Sequence, residues 1–455
     1  MNSFSLILLE LALIIALAAL GRVIATRHQQ ASVLGELLIG VAVGNVGYWL
    51  GWPLASLIMH SSDVKRLFEE VWNAGISVPE AAQHIFSATA LSPGGTAEQL
   101  IGLLTGPHAA NLILMGIALW VFSNLGVILL LFMVGLESSV EDMLKVGPRS
   151  LMVATLGVVA PFLLGLAACI WLLPTSPMPV YLFIAATLCS TSVGITARIL
   201  KDLNKIQSSE AKIILGAAVI DDILGLIVLA VVIGIVTTGT VDLLEICRIG
   251  LYSMLFFGLV ILLGEKLVAW NIRTLNRIFS PPQDKLLYPI ALAFLMAALA
   301  NFIELAPIVG AFAAGLILRE EAFTQSSGKQ TMQELISPLQ TLFAPIFFVL
   351  MGMQVNLASF LHPGTIKLAL VFTCIAIVGK LVAGLPAGRG TNLLSVGIGM
   401  IPRGEVGLIF ASIGNGLGIM SSDVFSAIVI MVITTTLVTP LALKWSLARS
   451  SPCLH

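Results

Sequence analysis

Apolar residues run through this chain in stretches of about twenty, each bounded by polar residues or by Pro and Gly. Thirteen such runs are read, at 4–26, 31–51, 112–136, 149–173, 179–200, 210–237, 248–269, 287–302, 304–319, 336–354, 364–386, 391–412 and 424–447. The pattern predicts an all-α polytopic membrane protein with thirteen transmembrane helices, of which 287–302 and 304–319 are the shortest. Composition agrees: the 455 residues are 58% hydrophobic and 10% charged, against about 25% charged in soluble domains.

Charge placement tests the count, because Lys and Arg collect on the cytoplasmic side of alternating loops. Of the 23 Lys and Arg, all but six fall on the inside if the N-terminus is outside. The exceptions are Lys65, Arg66, Arg248 and Lys367 on the outside, and Lys380 and Arg403 within runs. A miscount by one helix would scramble this asymmetry, so the N-terminus is placed outside and the C-terminus in the cytoplasm. The first run is long and has no basic segment before it, so it is expected to be a retained helix rather than a signal peptide. The five cysteines form no close-spaced pair and are read as small apolar residues, without disulfide or metal site. A net charge of −1 and the lack of a basic run give no sign of a nucleic-acid partner.

The runs repeat. VLGELLIGVAVG (33–44) lines up with PIVGAFAAGLIL (307–318), LFMVGLESSVEDML (131–144) with VLMGMQVNLASFL (349–361), and TSVGI (191–195) with GEVGL (404–408), in the same order. The first pair is further apart than the others by roughly the length of 52–111, which is therefore read as a non-membrane insertion in the first half. Helices 1–6 then correspond to helices 8–13, with helix 7 as a linker. An odd spacing of seven places the two six-helix repeats in opposite orientation, a signature of secondary transporters.

An ionisable residue at mid-membrane costs about 2.5–3.5 kcal/mol and marks function. Asp221 and Asp222 sit inside AAVIDDILGLIVLAVV (217–232). Neighbours on a helix point about 100° apart, so the two acids need different partners. Lys380 is a basic residue far from both ends of its run and is the expected partner of one; a purely structural pairing would leave a carboxylate over. Helix 5 clusters Ser190, Thr191, Ser192 and Thr196, whose hydroxyls can serve a broken backbone, and helix 12 carries Pro402, Arg403, Gly404 and Glu405 at the repeat-equivalent place. Two discontinuous helices crossing at one point are expected there. Glu36 is either a satisfied interfacial acid or part of the approach for a cation, should the acids of the midplane bind one. Val64, Leu67, Phe68, Val71, Trp72 and Ile76 recur at near-helical spacing and predict a helix capping the outer surface, with His60, His84 and His108 nearby as possible pH sensors.

VIDD, the GK at 379–380, TSVGITARIL and PRGEVGL together resemble the sodium/proton antiporters of the monovalent cation:proton antiporter-2 family, in its paired-aspartate branch. The resemblance covers about residues 1–50 and 112–447. It implies a scaffold or dimer domain (1–51, 112–136 and 287–354), a mobile core domain (149–237 and 364–447) and a linker helix at 248–269, assembled as a homodimer. It implies that Asp222 binds cation (Na+) and proton in turn, that Asp221 pairs with Lys380, that Thr191 and Ser192 belong to the crossing, and that Arg403 and Glu405 support it. Exchange of Na+ for H+ by alternating access in a bacterial-type inner membrane, serving pH homeostasis with no cofactor, is the function expected. The alternatives are Li+ or K+ as cation, a K+/H+ antiporter, a cation channel, or an organic-anion symporter of related architecture. The 52–111 insertion departs from the family pattern. The sequence ends at His455 without the nucleotide-binding domain of potassium-efflux relatives, so gated potassium efflux is not expected. No phosphate loop or zinc-protease motif points to an enzyme.

Overall fold

The computed structural model describes residues 3–28, 30–86, 90–93, 95–136, 140–238, 243–264, 266, 286–303, 305–318, 332–358, 363–404, 406–407, 410–411, 414 and 419–449. Among the described residues all regular structure is helical. The elements are α1 (Ser3–Arg27), α2 (Ser32–Trp49), α3 (Pro53–Met59), α4 (Ser61–Ala74), α5 (Val78–Ile85), α6 (Thr96–Thr105), α7 (Ala109–Leu136) and α8 (Val140–Leu172). They continue as α9 (Met178–Thr187), α10 (Val193–Asp202), α11 (Ser209–Thr238), α12 (Leu243–Leu259, extended by a π turn at Val260–Gly264), α13 (Leu287–Phe302) and α14 (Pro307–Ile317). The last four are α15 (Met332–Met353), α16 (Pro363–Ala383), α17 (Leu393–Gly399) and α18 (Ser422–Arg449). Eight of these are long and apolar enough to cross a bilayer, and stretches of α9, α12, α13 and α14 form shorter apolar helices.

One expected bound shifts for a physical reason, and two expected interruptions are present. α8 begins at Val140 instead of 149, carrying Pro148 inside it; membrane helices tolerate proline where neighbours serve the freed carbonyl. Runs 179–200 and 391–412 are interrupted, the first between α9 and α10 and the second after α17. The end of the 248–269 run and the end of 304–319 lie outside the described residues.

Packing sorts the long helices into two groups. α1, α2, α7, α13, α14 and α15 pack on one another, and α8 to α11 pack with α16 to α18. Glycines bring backbones of the first group into direct contact. A Cβ at Gly40 would lie 2.2 Å from the Val349 carbonyl oxygen, and one at Gly352 would lie 2.3 Å from that of Leu37. A Cβ at Gly135 would lie 2.2 Å from the Phe312 oxygen, and one at Gly315 would lie 2.1 Å from that of Phe132. Small residues at such points allow the close approach that lets helices pack without a hydrophobic drive.

The insertion is a set of four short helices, not one. α4 turns into α5 through Gly75, whose φ of +66° is the left-handed conformation that glycine takes freely. Ser77 and Glu80 then form a reciprocal capping box at the start of α5. Hydrogen bonds from the Ser77 amide and hydroxyl hold the Glu80 carboxyl below the usual carboxylate range. Leu67, Ala81, Ala82 and Leu100 are buried and pack with Ile14, Ala18, Leu112 and Met115 from α1 and α7. Phe68 and Trp72 leave that cap: Trp72 is 89% exposed. The expected apolar stripe is therefore split, because Val64 and Leu67 are buried against the helices below while Phe68 and Trp72, on the flank of that face, stay exposed.

Candidate functional site

α9 ends at Thr187 and the chain passes through Leu188 to Ser192 without helix before α10 begins at Val193. The hydroxyls there act on nearby carbonyls, Thr187 Oγ1 donating to Phe183 (2.8 Å) and Ser190 Oγ to Thr187 (3.3 Å). α17 ends at Gly399, and residues 401 to 404 are non-helical; Pro402 has no amide hydrogen to continue a helix. The two breaks cross. Ser192 N donates to the Pro402 oxygen at 2.8 Å, Thr191 Oγ1 to Met400 at 3.1 Å and Thr196 Oγ1 to Gly399 at 2.8 Å. In return Arg403 Nη1 donates to the Cys189 oxygen at 3.1 Å. A Cβ at Gly404 would sit 2.5 Å from Ser192 Oγ, so glycine is what lets the two segments touch.

Beside the crossing, α11 and α16 bring Lys380 Nζ to 2.9 Å from Asp221 Oδ1, with the two side chains 0% and 1% exposed. α8 backs the pair through Gly157, where a Cβ would meet Lys380 Nζ at 3.3 Å and Asp221 Oδ1 at 3.7 Å. Asp222, the next residue of α11, is 7% exposed. Arg403 is fully buried and lies within electrostatic reach of Asp221. Ser192 Oγ and Asp221 Oδ2 are buried without a hydrogen-bond partner among the described residues. Both oxygens remain able to ligate a small cation. The structure thus brings Asp221, Lys380, Thr191, Ser192 and Arg403 into one buried region, with Asp222 next along α11; Glu405 lies outside the described residues.

Sequence reasoning missed Thr436, whose hydroxyl donates to the Arg403 carbonyl; a threonine in an apolar helix gives no signal of its own. It also missed a second polar cluster. Asp202 at the end of α10 accepts from Ser32 Oγ (2.6 Å) and from the Val33 amide (3.1 Å) at the start of α2. Arg198 pairs with Asp202 (3.0 Å) and with Glu36 (3.3 Å), which also holds Arg22 at 3.1 Å. Arg198 further stands 5.8 Å over the Phe348 ring, and Lys201 donates to Gln340 at 3.0 Å. Glu36 accepts from both arginines through Oε1, while Oε2 is buried without a hydrogen-bond partner among the described residues, so these contacts describe an interfacial acid satisfied at one oxygen. The signal available is the spacing of four between Arg198 and Asp202, which lets an arginine and a carboxylate pair along one helix face.

Residues 84–449 match the transmembrane region of the sodium/hydrogen exchangers. The chain belongs to that family. It is 38% identical over 443 residues to the High-affinity Na(+)/H(+) antiporter NhaS3 of Synechocystis sp., covering 95% of this chain and 88% of that one. It is 34% identical over 363 residues to the Na(+)/H(+)-K(+) antiporter GerN of Bacillus cereus, covering 78% and 90%. The exchanger superposes on the sodium proton antiporter MjNhaP1 of Methanocaldococcus jannaschii with a TM-score of 0.56 at 14% identity, over 98% of each chain, which marks a shared fold. As an exchanger it is a multi-pass transporter, not an enzyme.

Proposed function

We propose that this exchanger moves Na+ against H+ by alternating access, with cation and proton competing for Asp222. The observation that carries this reading is the buried acid pair of α11 beside two interrupted, crossing helices, with Lys380 engaged by Asp221 alone among the described residues. A carboxylate shielded from water favours its neutral form, and a cation at hand favours its charged form, so the two ligands exclude one another. The crossing adds helix ends and freed backbone dipoles at the same point. Ser192 Oγ and Asp221 Oδ2 are the further oxygens available to the cation, and Arg403 balances charge. The K+ in the name of the Bacillus cereus relative keeps K+/H+ exchange as the alternative.

The wider reading rests on the packing. An inverted repeat is supported by the glycine contacts: Gly40 against Gly352 and Gly315 against Gly135 exchange places under the proposed alignment, with the same close approach in each. Gly21 and Gly35 pair as Met296 and Gly310 do, again in register. The scaffold (1–51, 112–136, 287–354) and core (149–237, 364–447) follow the two packing groups, with 248–269 as linker. Thirteen spans, an outside N-terminus, an inner-membrane location and a homodimer joined through scaffold helices complete the proposal.

The test is a proteoliposome assay following a trapped pH dye as Na+, Li+, K+ or Ca2+ is added. Saturable proton release with Na+ is expected, lost in Asp222→Asn, whose amide cannot take up or release a proton. Retained saturable exchange in that variant, or an uncoupled conductance in the wild type, overturns the assignment.

A further inference from the structure

We propose that Thr436 is a positioning residue for the cation site, acting through the Arg403 peptide; the proposal rests on the exchange reading for what the site binds. An interrupted helix inside a membrane leaves carbonyls that must find donors within the protein. In the second break these donors come from separate elements. Thr196 serves Gly399, Thr191 serves Met400 and the Ser192 amide serves Pro402, all from the first interrupted helix. The Arg403 oxygen is served by α18, through Thr436. Thr436 is 4% exposed and Arg403 is 0% exposed, so no water stands ready to replace that donor.

Arg403 is the residue whose placement matters most in that break. Its guanidinium reaches across to the Cys189 oxygen in the first break, and its charge acts on Asp221. Thr436 fixes the peptide end of this side chain while Cys189 fixes the other. The run Thr434, Thr435, Thr436 also lies as far beyond Gly404 as Asp221 to Ile223 lie beyond Thr191. In the proposed repeat α18 is therefore the counterpart of α11, with Thr434 and Thr435 at the places of Asp221 and Asp222 and Thr436 at that of Ile223, the residue next to them. One half supplies the ionisable ligands, and the other supplies the hydroxyl that steadies the backbone facing them.

The experiment compares Thr436→Val, Thr436→Ser and Thr439→Val with wild type. Thr439 is equally buried on the same helix but bonds to the Thr435 oxygen of its own helix, so it reports a structural role alone. Two readouts are taken: Na+-dependent thermal stabilisation of the purified protein, which gives Na+ affinity, and Na+ KM and kcat in proteoliposomes. Thr436→Val is expected to weaken Na+ affinity and raise KM about five-fold, the ratio an ordinary hydrogen bond commands, with kcat little changed. Thr436→Ser should restore wild-type values and Thr439→Val should leave them unmoved. A valine variant with wild-type affinity, or an equal shift in Thr439→Val, overturns the proposal. If Thr436→Val does not assemble, Thr436→Cys, a weak donor, carries the same test, and unchanged affinity there overturns it. Wild-type binding without exchange would sink the exchange reading and leave the affinity comparison intact.

Discussion

Lys380 and Asp221 form an ion pair with almost no water contact. Taking one partner away from a buried pair leaves the other charge uncompensated, at about 3–5 kcal/mol. Lys380→Met is therefore expected to lower the thermal stability of the purified protein, measured by its melting temperature. Transport should respond separately. If the lysine exchanges its own proton during the cycle, one cation crosses against two protons and a 100 mV potential acts on the difference with about 2.3 kcal/mol. Exchange in wild-type vesicles should then follow an imposed potential, and any exchange remaining in Lys380→Met should not; a wild type indifferent to potential makes the lysine structural. This pair was legible in the sequence because acids and a lysine have no bland reason to sit in apolar runs. Thr436 and the Cys189 carbonyl were not, since a lone hydroxyl in an apolar helix and a backbone group acquire their role only when two distant breaks meet.

At the scale of elements, apolar runs and small residues told most of the story. Length and hydropathy located the helices, and hydroxyls with Pro402 and Gly404 marked where two of them break, because those residues offer the backbone alternatives to helical bonds. The insertion was read less well. A single amphipathic stripe was expected in α4, but Phe68 and Trp72 lie outside the buried cap; spacing alone does not say how wide a face the neighbours below can cover. The glycine contacts make a quantitative expectation. At Gly135 an added methyl would press on the Phe312 backbone, which has no flexible end to move aside. Gly135→Ala should cost about 1–3 kcal/mol by overpacking, and Gly352→Ala, at the proposed equivalent position, should cost a similar amount. Thermal melts of the two variants check this; a cost at one site without the other would argue against the alignment of the halves.

Over the whole molecule, the cluster of Arg22, Ser32, Glu36, Arg198 and Asp202 joins α1 and α2 of one packing group to α10 of the other. If the groups move past one another during exchange, this junction must open. A disulfide between Ser32→Cys and Asp202→Cys should therefore stop exchange and a reductant should restore it; undiminished exchange in the cross-linked protein would mean that the halves do not part at this end. The cluster escaped the sequence reading because its members lie far apart along the chain, and Glu36, the one singled out, shows no partner in the sequence. Its least conspicuous bond reaches furthest. Ala31 offers no side-chain cap to α2, and the Val33 amide is held by a carboxylate from the other group of helices. The first amides of a helix are otherwise without partners in it. That proton is thus a clock: each time the groups separate it is released to solvent, and its deuterium uptake counts the openings. Na+, if it favours one arrangement over the other, should change the rate at this one amide while amides in the middle of α2 keep theirs.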